Sequence, residues 1–287
     1  PSGGGTKAAF NYPAGWSSPT SASTDITDLI GWVRGTDNLG KENRPGGTTT
    51  VRPTIHGDVL HSRPVALNYG GSPPRVVVYY GSNDGLLRAI EGKQTGTGAG
   101  NELWAFVAPE GLSKLNRLRQ QSPSVILPSN PAGSVNNKDY FLDGPIGAYQ
   151  EGSTAIIYVA ARRGGNFVYA IDVSDVTHPK IVDSMMTNSR IVNDVMTTED
   201  GKYGVFSREG ASDRKNGIVV FDASNPCHPK PVSEYTQTVS GGVHSSYVYK
   251  GHAYITDDAT GSMRVIDIQD PQHPKEVARW QTEQTEA

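Results

Sequence analysis

Cysteine is nearly absent. Cys227 stands alone among 287 residues, which excludes an intrachain disulfide and any cysteine-based zinc site. Long apolar runs are missing as well: none approaches the ~20 residues a membrane helix needs, so no membrane span is expected. Basic residues do not cluster beyond the pair Arg162-Arg163, and the formal charge is −3. That leaves no electrostatic case for nucleic acid or an anionic membrane as partner. No G-x-S-x-G elbow, H-E-x-x-H helix or P-loop occurs, and the expectation is a protein that is not an enzyme. Neither Met nor a charged-then-apolar leader opens the chain at Pro1. It stops after a strand-like EVARW, so both ends read as those of a fragment.

What the chain does have is Gly (33) and Pro (19) above average usage, with charged residues at 19%, a balance that favours turns and short strands over long helices. Residues 1–50 read as a lead-in segment with one short helix. Within Thr24–Arg34, Ile26, Leu29, Ile30 and Val33 recur at helical spacing, and Gly35 can end the helix. From Val51 the period becomes that of strands. Arg63–Tyr69, Arg75–Gly81, Leu86–Glu91 and Glu102–Val107 form one expected four-stranded blade, its middle pair joined by a hairpin through Asn83-Asp84-Gly85. Leu112, Leu115 and Leu118 predict a second helix over Pro109–Gln121. Three further blades are expected. The second holds Tyr140–Tyr149, Ala155–Ala161, Phe167–Val173 and Lys180–Met185. The third holds Ile191–Thr197, Tyr203–Arg208, Ile218–Asp222 and Pro231–Tyr235. Val243–Tyr249, Ala253–Thr256, Met263–Ile268 and Glu276–Trp280 make the fourth. The fold expected is therefore all-β, a β-propeller of about four recognisable blades with two short inserted helices. Four blades are the minimum for closure, so the toroid of a fragment need not be complete.

A repeat runs through the second part. VYAIDVSDVTHPK (168–180), VVFDASNPCHPK (219–230) and RVIDIQDPQHPK (264–275) each place an Asp after an apolar strand and a His-Pro-Lys at fixed distance from it. Asp172, Asp222 and Asp267 stand 50 and 45 residues apart, a period suited to propeller blades. Because the copies lie in different blades they need not converge, and a shared turn-forming role accounts for all three.

Two resemblances follow. WVRGTDN (32–38), RPTIHGDVLHSRPVALNYG (52–70), VVVYYGSNDGLLRAIEG (76–92), ELWAFVAPE (102–110), YFLDGPIGAYQ (140–150) and ARRGGNFVYAIDV (161–173) resemble the C-terminal propeller of the PilY/PilC family of type IV pilus proteins, over about 10–173. The blade YYGSNDGLLRAIEG…GNELW is also similar to the repeat of quinoprotein-type propellers. From about 168 to 287 the chain instead resembles LVIVD-repeat proteins, in VNDVMTTEDGKYGVFSREGASDRKNGIVVFDASNPCHPKPVSEYT and GGVHSSYVYKGHAYITDDATGSMRVIDIQDPQHPKEVARW. The expected division is thus residues 51–182, PilY/PilC-like, and 183–287, LVIVD-like, in one natural protein, a fusion or a chimera. The first resemblance implies type IV pilus assembly or adhesion outside the cell or on the bacterial envelope, with pilins or host and surface proteins as partners. The second implies an interaction propeller unrelated to pili, and the quinoprotein likeness a fragment of an enzyme.

Candidate chemistry is sparse. His56, Asp58 and His61, inside IHGDVLHSRP, have the residue types of a metal site, although positions 56 and 58 share a strand face from which 61 points away. The competing reading is that they supply hydrogen bonds anchoring the blade. Calcium is implied by the PilY/PilC resemblance alone. The loop Asp37–Asn43 lacks alternating carboxylates and contains Lys41, and Asp257-Asp258 reads as a hairpin turn. No cofactor is identified from the residues themselves. Cys227, beside His228, is expected to be an exposed and passive turn residue.

Overall fold

In the computed structural model, which describes residues 22–40, 42, 51–126 and 136–281, the alternating apolar runs pair into four antiparallel sheets of four strands. The first blade is β1 (Val65–Asn68), β2 (Val76–Gly81), β3 (Leu86–Glu91) and β4 (Glu102–Val107). The second is β5 (Ile146–Glu151), β6 (Thr154–Ala160), β7 (Phe167–Asp172) and β8 (Lys180–Met186). The third is β9 (Val195–Thr197), β10 (Tyr203–Arg208), β11 (Gly217–Asp222) and β12 (Lys230–Tyr235), and the fourth β13 (Ser246–Tyr249), β14 (His252–Asp257), β15 (Ser262–Asp267) and β16 (Lys275–Trp280). Within every sheet the strands pair in chain order. Successive first strands lie side by side, β1 by β5, β5 by β9 and β9 by β13. This is an all-β arc of propeller blades, as the sequence pattern predicts.

The blades are built to one plan. Each carries a register shift between its third and fourth strands at the same place: Ala89/Ile90, Ala170/Ile171, Val220/Phe221 and Val265/Ile266. The shift re-aims the outer strand and increases local twist. It occurs in the first blade too, although that blade lacks the His-Pro-Lys turn. An up-and-down sheet also has two distinct ends. The chain enters strand one, and turns from strand two to three, at one end, here the proximal face; the one–two and three–four turns form the distal face.

Hydrophobic clusters fill the joints between blades. Tyr79, Leu87 and Ala89 of the first blade pack on Ile157, Val159 and Tyr169 of the second. Ile156, Tyr158 and Met185 pack on Val195, Phe206 and Phe221, and Val205, Ile218 and Val220 on Val248, Ile255 and Ile266. Burying a side chain of this size stabilises by about 1.5–3 kcal/mol. Position 182/183, where the two sequence resemblances meet, falls inside β8, and Met185 of that strand belongs to the second joint.

The two helices are α1 (Ala22–Val33) and α2 (Leu112–Gln120), the latter preceded by one 3₁₀ turn at Pro109–Gly111. Leu29 and Trp32 meet Leu112, Leu115 and Phe141 in a separate cluster. Gly35 ends the first helix with φ +105°, a conformation that favours glycine. One detail differs from the periodicity. The first strands of blades two, three and four begin at Ile146, Val195 and Ser246, several residues after the expected starts. The residues before them hold polar side chains that reach across to neighbouring blades.

Candidate functional site

Those polar residues gather on the proximal face. Asp143 lies just before β5, Asn193 and Asp194 just before β9 and His244 just before β13, while Arg162 and Glu209 sit in the strand two–three turns of blades two and three. Arg162 is buried. Its Nη1 donates to the Asn193 carbonyl at 3.2 Å and its Nη2 to His244 Nε2 at 3.1 Å. Since a guanidinium only donates, Nε2 is the acceptor and the proton of a neutral imidazole sits on Nδ1. Burial pulls the Arg162 pKa down, opposed by the nearby charges of Asp143, Asp194 and Glu209. Among the described residues, none of its hydrogen bonds goes to a carboxylate, and its Nε has no partner.

The other blades hold a buried arginine near this turn differently. Arg88 is held by Asp84 at 2.6 Å and Glu102 at 3.0 Å. Arg208 is held by Asp213 and Glu234, and Arg264 by Asp257 and Glu276. In each of these three, the guanidinium braces the two–three turn of its own blade to strand four. For Asp84, burial favours the neutral acid, but the Arg88 contacts outweigh it and the pKa is lowered. Arg162 instead ties the second blade to the third and fourth.

Beside it, on its partners Asn193 and His244, opens a cavity of about 580 Å³ also lined by Lys138, Tyr140, Arg163, Arg190 and Glu209. Arg163 stacks on Tyr140, 5.2 Å from the ring centre, and donates to its hydroxyl at 3.0 Å. Arg190 pairs with Glu209 at 2.9 Å. The floor is braced by Asp194, which accepts from Ser246 N–H at 2.9 Å and from Arg63; burial nevertheless raises its pKa. Lys114 of α2 holds the Tyr140 carbonyl at 2.9 Å from beneath. Gly164 fits here because a Cβ would stand 1.6 Å from the Phe141 carbonyl oxygen. The arrangement is a rigid polar recess on one face of the arc, with donors of both charged and neutral kinds.

His56, Asp58 and His61 border this face but do not share a point. His56 Nε2 lies 2.7 Å from the Tyr80 hydroxyl. Asp58 accepts from Asn83 at 3.0 Å and from Lys138; burial would raise its pKa, but these two contacts lower it overall. His61 Nδ1 meets Asp143 Oδ2 at 2.7 Å, across the joint to the second blade. Asn83 Nδ2 also donates to Asp143 at 2.8 Å, so Asp58 and His61 anchor one hydrogen-bond network while His56 has its own partner. Among the described residues, the metal-type ligand atoms within 4.8 Å of one another belong to Glu209, His244 and Asp258. Glu209 is already engaged by Arg190 and Asn193, and His244 Nε2 by Arg162. The group therefore falls well short of the six or more oxygens calcium takes. At the other loop, Asp37 accepts from the Glu42 N–H at 3.2 Å, and Asn38 accepts from Arg119 at 3.0 Å and donates to the Asp28 carbonyl. The described residues of that loop do not fit calcium either.

The repeated Asp and His-Pro-Lys serve the distal face. Asp172, Asp222 and Asp267 accept from Ser174, Ser224 and Gln269 N–H at 2.9, 2.7 and 2.9 Å, and Asp175 and Asp270 hold His178 and His273 at 2.9 Å. The turn also has a use that its local pattern does not show: each receives a donor from the preceding blade. Trp104 Nε1 donates to Val176 O at 3.0 Å, Tyr158 Oη to Pro226 O at 3.0 Å and Ser233 Oγ to Pro271 O at 2.5 Å. Cys227, expected to be exposed, is half-buried against the second joint, and burial raises its pKa. Packing against the core thus disfavours the reactive thiolate.

Comparison with known proteins bears on both resemblances. The LVIVD repeat profile matches residues 157–187, 212–237 and 240–282. The chain is 23% identical over 261 aligned residues to the "Type IV pilus biogenesis factor PilY1 homolog" of Xylella fastidiosa, covering 78% of this chain and 20% of that protein. It thus spans about one fifth of that relative's length. Similar solved structures include the Pseudomonas aeruginosa PilY1 C-terminal domain, with TM-score 0.43 and 18% identity over 67% of this chain and 38% of that one. Saccharomyces cerevisiae Sqt1 matches with TM-score 0.38 and 13% identity over 48% of this chain and 35% of that one. Both likenesses read from the sequence are found, and they overlap. The repeats start at residue 157, before position 182. An alignment taking in 78% of the chain extends beyond that position.

Proposed function

We propose that this chain is a non-enzymatic β-propeller segment of a pilus-associated protein on the bacterial surface, acting by protein contact in type IV pilus assembly or adhesion. The likeness to a type IV pilus biogenesis factor over 78% of the chain carries the reading. The proximal recess supports it physically. Polar and cationic groups are set there on rigid blades, the arrangement by which a scaffold presents side chains to a protein partner. Pilins or a host or surface protein are the partners this reading implies. We further propose that residues 51–182 and 183–287 act as one arc, since β8 and the second joint span the boundary.

Removing this segment in the producing bacterium is expected to lower pilus number, twitching and adhesion. Arg163→Glu with Arg190→Glu should lower them in the same direction while the protein remains folded. Unchanged piliation, twitching and adhesion after removal would eliminate the reading. The repeat matches favour a second reading, an LVIVD-type interaction propeller unrelated to pili. Genes for minor pilins beside the reading frame are expected only under the first.

A further inference from the structure

Buried arginines in this fold come with an acid, except one. Among the described residues the buried arginines are Arg52, Arg88, Arg119, Arg162, Arg208 and Arg264. Arg52 pairs with Glu42, Arg88 with Asp84, Arg119 with Asp28, Arg208 with Asp213 and Arg264 with Asp257. Arg162, 7% exposed, has no carboxylate in contact. Its neighbour Arg163 is exposed and donates to the Tyr140 hydroxyl, again with no acid in contact among the described residues. A buried charge without a counterion is costly. The strand two–three turn of the second blade therefore holds two adjacent guanidinia in want of one.

The acids around them are committed elsewhere. Asp143 and Asp194 act on Arg162 through space, but Asp143 is bonded to His61 and Asn83, and Asp194 to Arg63 and the Ser246 N–H. Glu209, which lines the recess, is shared between Arg190 and Asn193. Lys138 is held by Asp58. What remains is one cation at the rim, Arg163, and one behind the wall, Arg162, whose Nη2 donates to the lining residue His244. Arg163 is already set for a ligand. Tyr140 stacks against it, 5.2 Å from the ring centre, and its hydroxyl fixes Nη1. The other N–H groups of Arg163 have no partner among the described residues. A planar guanidinium held this way can grip a carboxylate through two parallel N–H bonds, and pre-setting it lowers the ordering cost of binding. At about 580 Å³ the recess has room for more than a simple ion, since pockets that enclose small ligands run about 300–1,000 Å³.

We propose that the proximal recess is a carboxylate site, taking an Asp or Glu side chain from an acidic segment of a protein partner, bound by Arg163 next to the charge of Arg162. This rests on the reading of the proximal face as a partner surface and names the chemistry that surface selects. The incoming acid does for the second blade what Asp84, Asp213 and Asp257 do within the other three.

Selection of a displayed library of random heptapeptides on the purified chain tests this. The recovered sequences are expected to be enriched severalfold in Asp and Glu over the input. A synthetic peptide of recovered sequence should bind Arg163→Gln about tenfold or more weakly than the wild type, the loss of a charge-assisted hydrogen bond. Lys230→Gln, which removes one positive charge from an exposed distal position, should bind it as the wild type does. Equal thermal midpoints for the three proteins establish that each is folded. Recovered sequences without an excess of acid, or equal affinity for the wild type and Arg163→Gln, would overturn the proposal. Equal losses in Arg163→Gln and Lys230→Gln would also overturn it, because they mark attraction to overall charge alone. Removal of the segment in the bacterium tests the underlying reading separately: impaired piliation beside a failed selection would sink the carboxylate site and leave that reading standing.

Discussion

At the distal end of the joints a donor from one blade meets a carbonyl in the next blade's turn three times over, from Trp104, Tyr158 and Ser233. At the proximal end no two joints use the same side chains. His61 meets Asp143 between blades one and two, Arg162 meets the Asn193 carbonyl between two and three, and Asn193 meets the Val243 carbonyl at 3.1 Å between three and four. One end is a repeated fastening and the other a varied surface. In a stacked array each unit must dock on its neighbour in the same way, so docking devices recur. A recess that binds one partner has no such reason to recur, and the proximal face is where the blades differ.

The contrast can be tested by substitution. The apolar middle of the joint should dominate both ends: Phe221→Ala, in the second joint, is expected to cost about 3–5 kcal/mol in chemical denaturation. Arg162→Ala at the proximal end should cost about 1–3 kcal/mol, because it leaves buried partners unsatisfied. It should also alter partner binding, whereas a distal substitution should not. Asp222→Ala removes the bond to Ser224 N–H and should cost about 0.5–1.5 kcal/mol, with Asp172→Ala and Asp267→Ala close to the same value if the turns are equivalent. A threefold spread among those three would break the comparison.

The smallest effect concerns acid. Glu276 accepts from Arg279 and Arg264, and across the third joint from Thr238. Chiefly through Arg279, these lower its pKa from 4.5 to about 2 against the opposing effect of burial. A depressed carboxylate contributes stability that is complete above its unfolded pKa and disappears as pH falls through its folded one. The Glu276 contribution should therefore decline between pH 4.5 and about 2. Urea midpoints measured across that window should fall less steeply for Glu276→Gln than for the wild type.

What could be read from the sequence divides along the same line. Leu86–Glu91, Glu102–Val107 and Tyr203–Arg208 were predicted to the residue, because alternation and the flanking turn residues are local. Asp172, Asp222 and Asp267 declared their turn role through spacing alone. Their turns' part in docking was hidden, since Trp104, Tyr158 and Ser233 lie 72, 68 and 38 residues from their acceptors. The proximal recess was hidden for a similar reason. Arg162 stood out only as half of a basic pair, and the contact that defines it is with His244, 82 residues away. A signal did exist: Asp143, Asn193, Asp194 and His244 each interrupt an expected first strand near its start. His56, Asp58 and His61 illustrate the opposite case, residue types that suggest a ligand set but are drawn to separate partners by the fold.

The central claim is that all four blades form one arc in which the boundary at residue 182 has no structural expression. Limited proteolysis tests it most directly. Asp183–Met186 of β8 pair with Phe167–Ala170 of β7, and beyond them Arg190 N–H donates to Glu209 O at 2.9 Å while Ser189 Oγ bridges the Ile191 and Glu209 carbonyls. Residues 183–190 should therefore resist cleavage for as long as the rest of the arc does. Early cleavage there, yielding two pieces that each remain folded and protease-resistant, would contradict it.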